Sequence, residues 1–117
     1  MVLADTSVWI EHFRVGEPTL QDLLSEGLVL MHPFVLGELV CGNLKDRAVI
    51  IAHLQSLPSA HLAFNDEVMK LVEDARLWGK GLGWTDVHLL ASALLTHCRL
   101  WTRDVRLGKI ASELKLC

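Results

Sequence analysis

Short apolar runs set apart by helix-length segments constrain this chain more than any other feature. Val2-Leu3-Ala4, Leu28 to Met31, His61 to Phe64 and Arg99 to Thr102 each have the length of a strand. Between them lie stretches with helical periodicity and helical punctuation. Val8-Trp9-Ile10 and Phe13 suit a first helix after Asp5, and Pro18 opens a second near Glu17 to Glu26, which Gly27 stops. Pro33 starts a helix through Glu38 to Cys41, closed by Gly42, and Lys45 to Gln55 reads as another. Asn65 and Asp66 cap a helix carrying Val68, Leu71, Val72, Ala75 and Leu77 that runs out in the Gly79-Lys80-Gly81-Leu82-Gly83 loop. Thr85 or Asp86 begins the helix of Val87 to Thr96, and a last helix spans roughly Val105 to Leu114.

Strands joined through helices run parallel, because each helix carries the chain back to the end where it started. The expectation is therefore a single α/β domain over residues 1–117, a three-layer α/β/α sandwich around a mostly parallel sheet of four to five short strands. At 117 residues with 51% hydrophobic content, the chain can cover one core and has no room for a second.

Composition removes several classes of function. A net charge of −3 argues against a broad nucleic-acid-coating surface, although local basic patches remain compatible with it. Cys41, Cys98 and Cys117 are odd in number and far apart, so neither a disulfide framework nor a zinc cage is expected, and a reducing cytoplasm suits them. Asp5, Glu11 and His12 interrupt the N-terminus too early for a signal peptide, and no apolar window is long enough for a membrane span.

Four acids stand at strand exits or on apolar helix faces. Asp5 follows the first strand and Asp104 the last; in open parallel sheets such positions converge where strand order reverses. Glu38 has Phe34, Cys41 and Gly42 at three- and four-residue spacing, and Asp86 heads a stripe of Leu89, Leu90 and Ala93. Each acid alone has an ordinary explanation: Asp5, Asp86 and Asp104 as helix caps, Glu38 as a solvent-facing side chain. Together they could all project into one pocket, where their charges would repel. At an effective dielectric near 20, two charges ~4 Å apart cost about 4 kcal/mol, which protonation or a divalent cation must relieve. Oxygen-only ligands favour Mg²⁺ or Mn²⁺, which can make a bound water nucleophilic and neutralise an attacked phosphate.

On these residues the chain resembles a PIN-domain nuclease, and specifically a VapC-type toxin of a toxin–antitoxin pair. The matching segments are Leu3-Ala4-Asp5-Thr6-Ser7-Val8-Trp9, Leu36-Gly37-Glu38-Leu39, Gly83 through Ala93, and Trp101-Thr102-Arg103-Asp104. The resemblance implies an endoribonuclease in which Asp5, Glu38, Asp86 and Asp104 bind Mg²⁺ or Mn²⁺, with Ser7 and Thr102 as hydroxyls beside them. It also implies hydrolysis of structured RNA such as tRNA to a 5′-phosphate and a 3′-hydroxyl, a small VapB-like antitoxin as partner, and a homodimer. Many relatives carry a further acid shortly after the position of Asp104, where this chain has Arg106 and Lys109, so the resemblance leaves one or two metals open.

Arg103, Arg106 and Lys109 are candidates for RNA phosphates, with Lys45 and Arg47 extending the track; ordinary solvated charge is the alternative for each. His88 lies off the helical face of Asp86 and reads as structural. The Gly79-x-Gly81-x-Gly83 loop follows a helix and lacks dinucleotide-loop spacing. Trp101 belongs to the core, whereas Trp84, beside Asp86, is the tryptophan to consider as a contact for substrate or partner. Two other functions compete. A non-catalytic PIN scaffold would use the acids structurally. A phosphoaspartate receiver would want an adjacent acidic pair at the first strand, where Asp5 is followed by Thr6-Ser7.

Overall fold

A computed structural model describes residues 1–117. In chain order the elements are β1 (Val2–Ala4), α1 (Thr6–Val15), α2 (Pro18–Ser25), β2 (Val29–Leu30), α3 (Pro33–Val40), α4 (Arg47–Gln55), α5 (Asn65–Asp74), α6 (Trp84–Thr96), β3 (Arg99–Trp101) and α7 (Val105–Glu113). The sheet is open and parallel, with strand order β2-β1-β3. Val2 and Leu3 pair with Val29 and Leu30 on one side, and Val2, Leu3 and Ala4 with Arg99, Leu100 and Trp101 on the other. Strand β1 is thus central and buried throughout, and the chain leaves it at the point where strand order reverses.

Helices cover the sheet because their apolar stripes have nowhere else to go. Helix α1 packs on β1, α2 on β2 and α6 on β3, while α5 lies on α6 and α3 lies between α1 and α4. One cluster unites Leu3, Trp9, Leu20, Val35, Val68, Leu89, Leu90 and Leu107. The outer edge of β3 is closed by the C-terminal segment, where the Leu100 N–H donates to the Leu116 carbonyl at 2.6 Å.

The sheet has three strands, not four to five. His61 to Phe64 forms no strand. Met31 instead makes a single parallel bridge to Ser59, donating to the Pro58 carbonyl (2.8 Å) and accepting from Ala60 (2.9 Å). The chain then turns away, because the His61 N–H donates to Thr96 Oγ1 at 2.9 Å, and Phe64 ends 79% exposed at the start of α5. Helix α5 stops at Asp74, three residues short of Leu77, where Arg76 takes a left-handed φ of 55° and breaks the repeat. Leu77 is buried all the same.

Candidate metal and nuclease site

Asp5 is fixed by three elements. Its backbone N–H donates to the Trp101 carbonyl at 2.9 Å, extending the β1–β3 ladder by one rung. Its Oδ1 accepts from the Ser7 N–H (2.6 Å) and the Ser7 hydroxyl (2.5 Å), and its Oδ2 accepts from the Thr102 hydroxyl. A hydroxyl has one proton to give. With both protons committed to Asp5, the oxygens can only accept: Ser7 Oγ takes the Arg103 N–H at 2.9 Å and Thr102 Oγ1 the Asp104 N–H at 3.0 Å. Asp5, 6% exposed, thereby ties the start of α1 to the turn between β3 and α7. It also caps α1, so the ordinary explanation describes its geometry correctly without using up the carboxylate.

Asp104 caps α7. Its Oδ1 accepts from Arg106 N–H (2.8 Å) and Leu107 N–H (3.1 Å), which leaves Oδ2 without a protein partner. Asp86 is neither the first residue of α6 nor its cap. The helix begins at Trp84, Gly83 is the cap, and Asp86 reaches back to accept the Gly83 N–H on Oδ2 at 2.9 Å. An acid three residues after a cap is the spacing that signals this arrangement, and Gly83-Trp84-Thr85-Asp86 carries it in the sequence.

Asp86 lies within range of the charges of the other three acids. Partial burial raises the Asp86 carboxyl above the ordinary Asp value, and the negative charges of Asp104, Asp5 and Glu38 raise it further, while the Gly83 hydrogen bond works the other way. Carboxylates from the β1 exit, the α7 cap and α3 therefore all act on one group at the start of α6. Glu38 is the outlying member. It is exposed, has no protein hydrogen bond, and borders a groove of about 370 Å³ with Ile10, Phe13, Leu39 and Leu44.

As placed, no three His, Cys, Asp or Glu side chains are grouped closely enough to hold a metal directly. The donor set nonetheless suits a hard divalent cation in kind. It is all carboxylate, an oxygen of Asp104 and both of Glu38 have no protein partner, and a cation would relieve the like-charge burden on Asp86. Magnesium commonly keeps several waters, which an open arrangement of this kind accommodates.

Of the basic candidates, Arg103, Arg106, Lys109 and Lys45 are exposed, and Arg106 lies over Gly81. Arg47 is engaged elsewhere: it donates to the Val40 (2.5 Å) and Gly42 (3.1 Å) carbonyls at the end of α3, which removes it from an RNA track. His88 is buried between Trp84 (ring centroids 4.5 Å) and Phe34 (4.7 Å), in keeping with a structural histidine. Sequence reasoning missed His32. Its Nδ1 accepts the Phe34 N–H at 3.0 Å and so caps α3, a role that a residue directly before Pro33 could have suggested. Burial, with His88 nearby, depresses His32 from 6.5 to about 4.

A PIN-domain family model matches residues 2–113, from β1 to the end of α7, and includes all four acids. This chain belongs to the PIN-domain family. Over 114 residues it is 46% identical to Ribonuclease VapC32 from two strains of Mycobacterium tuberculosis, covering 97% of this chain and 92% of the relative. The relationship to a VapC-type protein thus runs through the whole fold, and the PIN helices and parallel sheet described above are its frame.

Proposed function

We propose that this PIN domain, spanning residues 1–117, is an Mg²⁺- or Mn²⁺-dependent endoribonuclease of toxin type that hydrolyses structured RNA such as tRNA. The observation that carries the reading is the placement of Asp5 and Asp104 at the exits of the paired strands β1 and β3, joined through the Thr102 hydroxyl at the switch point of the sheet, with Asp86 within reach of their charges and that of Glu38. Kinship to a ribonuclease at 46% identity supports the substrate class.

Asp5, Asp86 and Asp104 would hold the cation, with Glu38 joining directly or through water. Bound there, a divalent ion supplies Lewis-acid activation of water and charge neutralisation at the attacked phosphate. The chain's own part is positional. Ser7 and Thr102 hold both oxygens of Asp5 in place, Gly83 orients Asp86, and the α7 backbone orients Asp104. No histidine is assigned as a general base, because the metal would activate the water; His88 and His32 are in any case enclosed in the protein. Products carry a 5′-phosphate and a 3′-hydroxyl. A small VapB-like antitoxin and a second copy of the chain are the partners in this reading. Half-exposed Phe34 (37%) and Trp84 (46%) beside the site offer apolar surface for them. No helix is long and apolar enough to cross a membrane, and a cytoplasmic setting is part of the proposal.

Total cellular RNA incubated with the purified protein and Mg²⁺ should give discrete fragments with phosphorylated 5′ ends, and EDTA or Asp5→Asn should abolish them. Equal cutting by Asp5→Asn would reject the assignment.

A further inference from the structure

Arg106 stands two residues after Asp104 and forms no ion pair. The ion pairs of the molecule are Arg14–Glu11 and Lys70–Asp74, both elsewhere. Its backbone N–H is bound to Asp104 Oδ1, which anchors it at the first turn of α7. Its side chain crosses to the loop before α6 and lies on Gly81, two residues ahead of the Gly83 N–H that orients Asp86. The side chain therefore runs from the element that carries Asp104 to the loop that positions Asp86.

Gly81 makes the room. A Cβ at this position would stand 2.8 Å from Arg106 Cδ, 2.8 Å from Nη1 and 3.3 Å from Cζ. Those distances are too short for any side chain, and the φ of +80° is itself one that favours glycine. Because the colliding atoms belong to a flexible, exposed side chain, a methyl there would displace the arginine and leave the fold standing. A guanidinium held against backbone loses less freedom on binding, and its planar fork of donors matches phosphate oxygens.

We propose that Arg106, seated in the hollow over Gly81, is a phosphate clamp that binds the RNA backbone beside the cleaved linkage, and that Gly81 is a positioning residue for it. The inference rests on the nuclease reading for its location, but it can be measured without cleavage. A short fluorescein-labelled single-stranded RNA is titrated in EDTA at a series of salt concentrations. Arg106→Ala should weaken binding and lower the slope of log K against log salt by about 0.7, the share of one phosphate contact on a single strand. Arg106→Lys should keep the slope and lose part of the affinity. Gly81→Ala should move toward Arg106→Ala. Gly79→Ala is the control: it has a similar φ, +70°, and nothing within 4 Å of an added Cβ, so it carries the backbone strain without the collision and should bind like wild type. In Mg²⁺, Arg106→Ala should raise KM for RNA cleavage more than it lowers kcat.

The clamp is overturned by an unchanged slope in Arg106→Ala, by wild type failing to bind RNA at low salt, or by Gly81→Ala and Gly79→Ala behaving alike. RNA bound with the expected slopes but left uncut in Mg²⁺ would sink the nuclease reading and leave the clamp intact.

Discussion

At the residue scale, the site depends on how two hydroxyl protons are spent. Ser7 and Thr102 each give their proton to Asp5 and each receive a backbone N–H from the β3–α7 turn. Thr102→Val keeps the shape and removes one of these joints. The Asp104 N–H loses its acceptor and Asp5 Oδ2 its donor, a loss of roughly 1–3 kcal/mol in stability. Cleavage should fall by about 10–100-fold, the usual effect of losing a group that orients a ligand, and Thr102→Ser should restore most of it. Assays of cleavage and thermal melts on the same two variants check this; full activity in Thr102→Val would mean that Asp5 needs no such support. Asp86 differs: the Gly83 N–H supports it, but burial and neighbouring negative charge disfavour its ionised form. Its carboxyl is raised, so the folded state holds that proton more tightly than the unfolded chain does. Ionised Asp86 therefore destabilises the metal-free protein, and that burden grows as pH rises from the ordinary Asp range.

At the scale of elements, α3 combines Glu38 with a cap that depends on pH. His32 accepts the Phe34 N–H only while Nδ1 is unprotonated, and burial holds the ring neutral down to about pH 4 against 6.5 in the unfolded chain. A depressed histidine contributes stability that is whole above 6.5 and is lost as pH falls toward 4, worth roughly 3 kcal/mol over that window. Buried His88, also depressed, acts in the same direction, and Asp86 opposes both at the acid end. His32→Asn keeps a capping oxygen and cannot titrate. Urea melts between pH 7 and 4.5 should show the variant losing less stability than wild type; equal losses would remove His32 from the account. Much of this architecture was legible beforehand. β1 and β3 announce themselves as apolar runs ending at Asp5 and before Asp104, and Pro18 and Pro33 mark two helix starts that the structure keeps. His61 to Phe64 misled because apolar content cannot show where backbone hydrogen bonds go, and Thr96 takes the one from His61. Arg47 misled for a similar reason, its charge being visible and its carbonyl partners not. The four acids could be named from spacing, but the reach of Asp86 back to Gly83 and the seat of Arg106 on Gly81 are properties of folded loops.

At the scale of the whole molecule, the proposed ribonuclease activity would require an acidic chain to receive a polyanion. With a net charge of −3 and the charges of Asp5, Glu38 and Asp104 all felt at Asp86, RNA approaching the metal-free protein would meet repulsion that local cations such as Arg103, Arg106 and Lys109 would offset. In the proposed reading a divalent ion would change both terms together, relieving Asp86 and attracting phosphate, and would link folding, metal binding and catalysis in the same four side chains. The most direct test is the melting temperature at pH 7 of wild type and Asp86→Asn, each in EDTA and in saturating Mn²⁺. Without metal, Asp86→Asn should melt higher than wild type, because it keeps an acceptor for the Gly83 N–H and loses the crowded charge. With Mn²⁺, wild type should gain about 2.7 kcal/mol at a hundredfold excess over its Kd, and the variant much less. Equal gains in the two proteins, or a variant that melts below wild type in EDTA, would contradict the convergence of these acids on one cation.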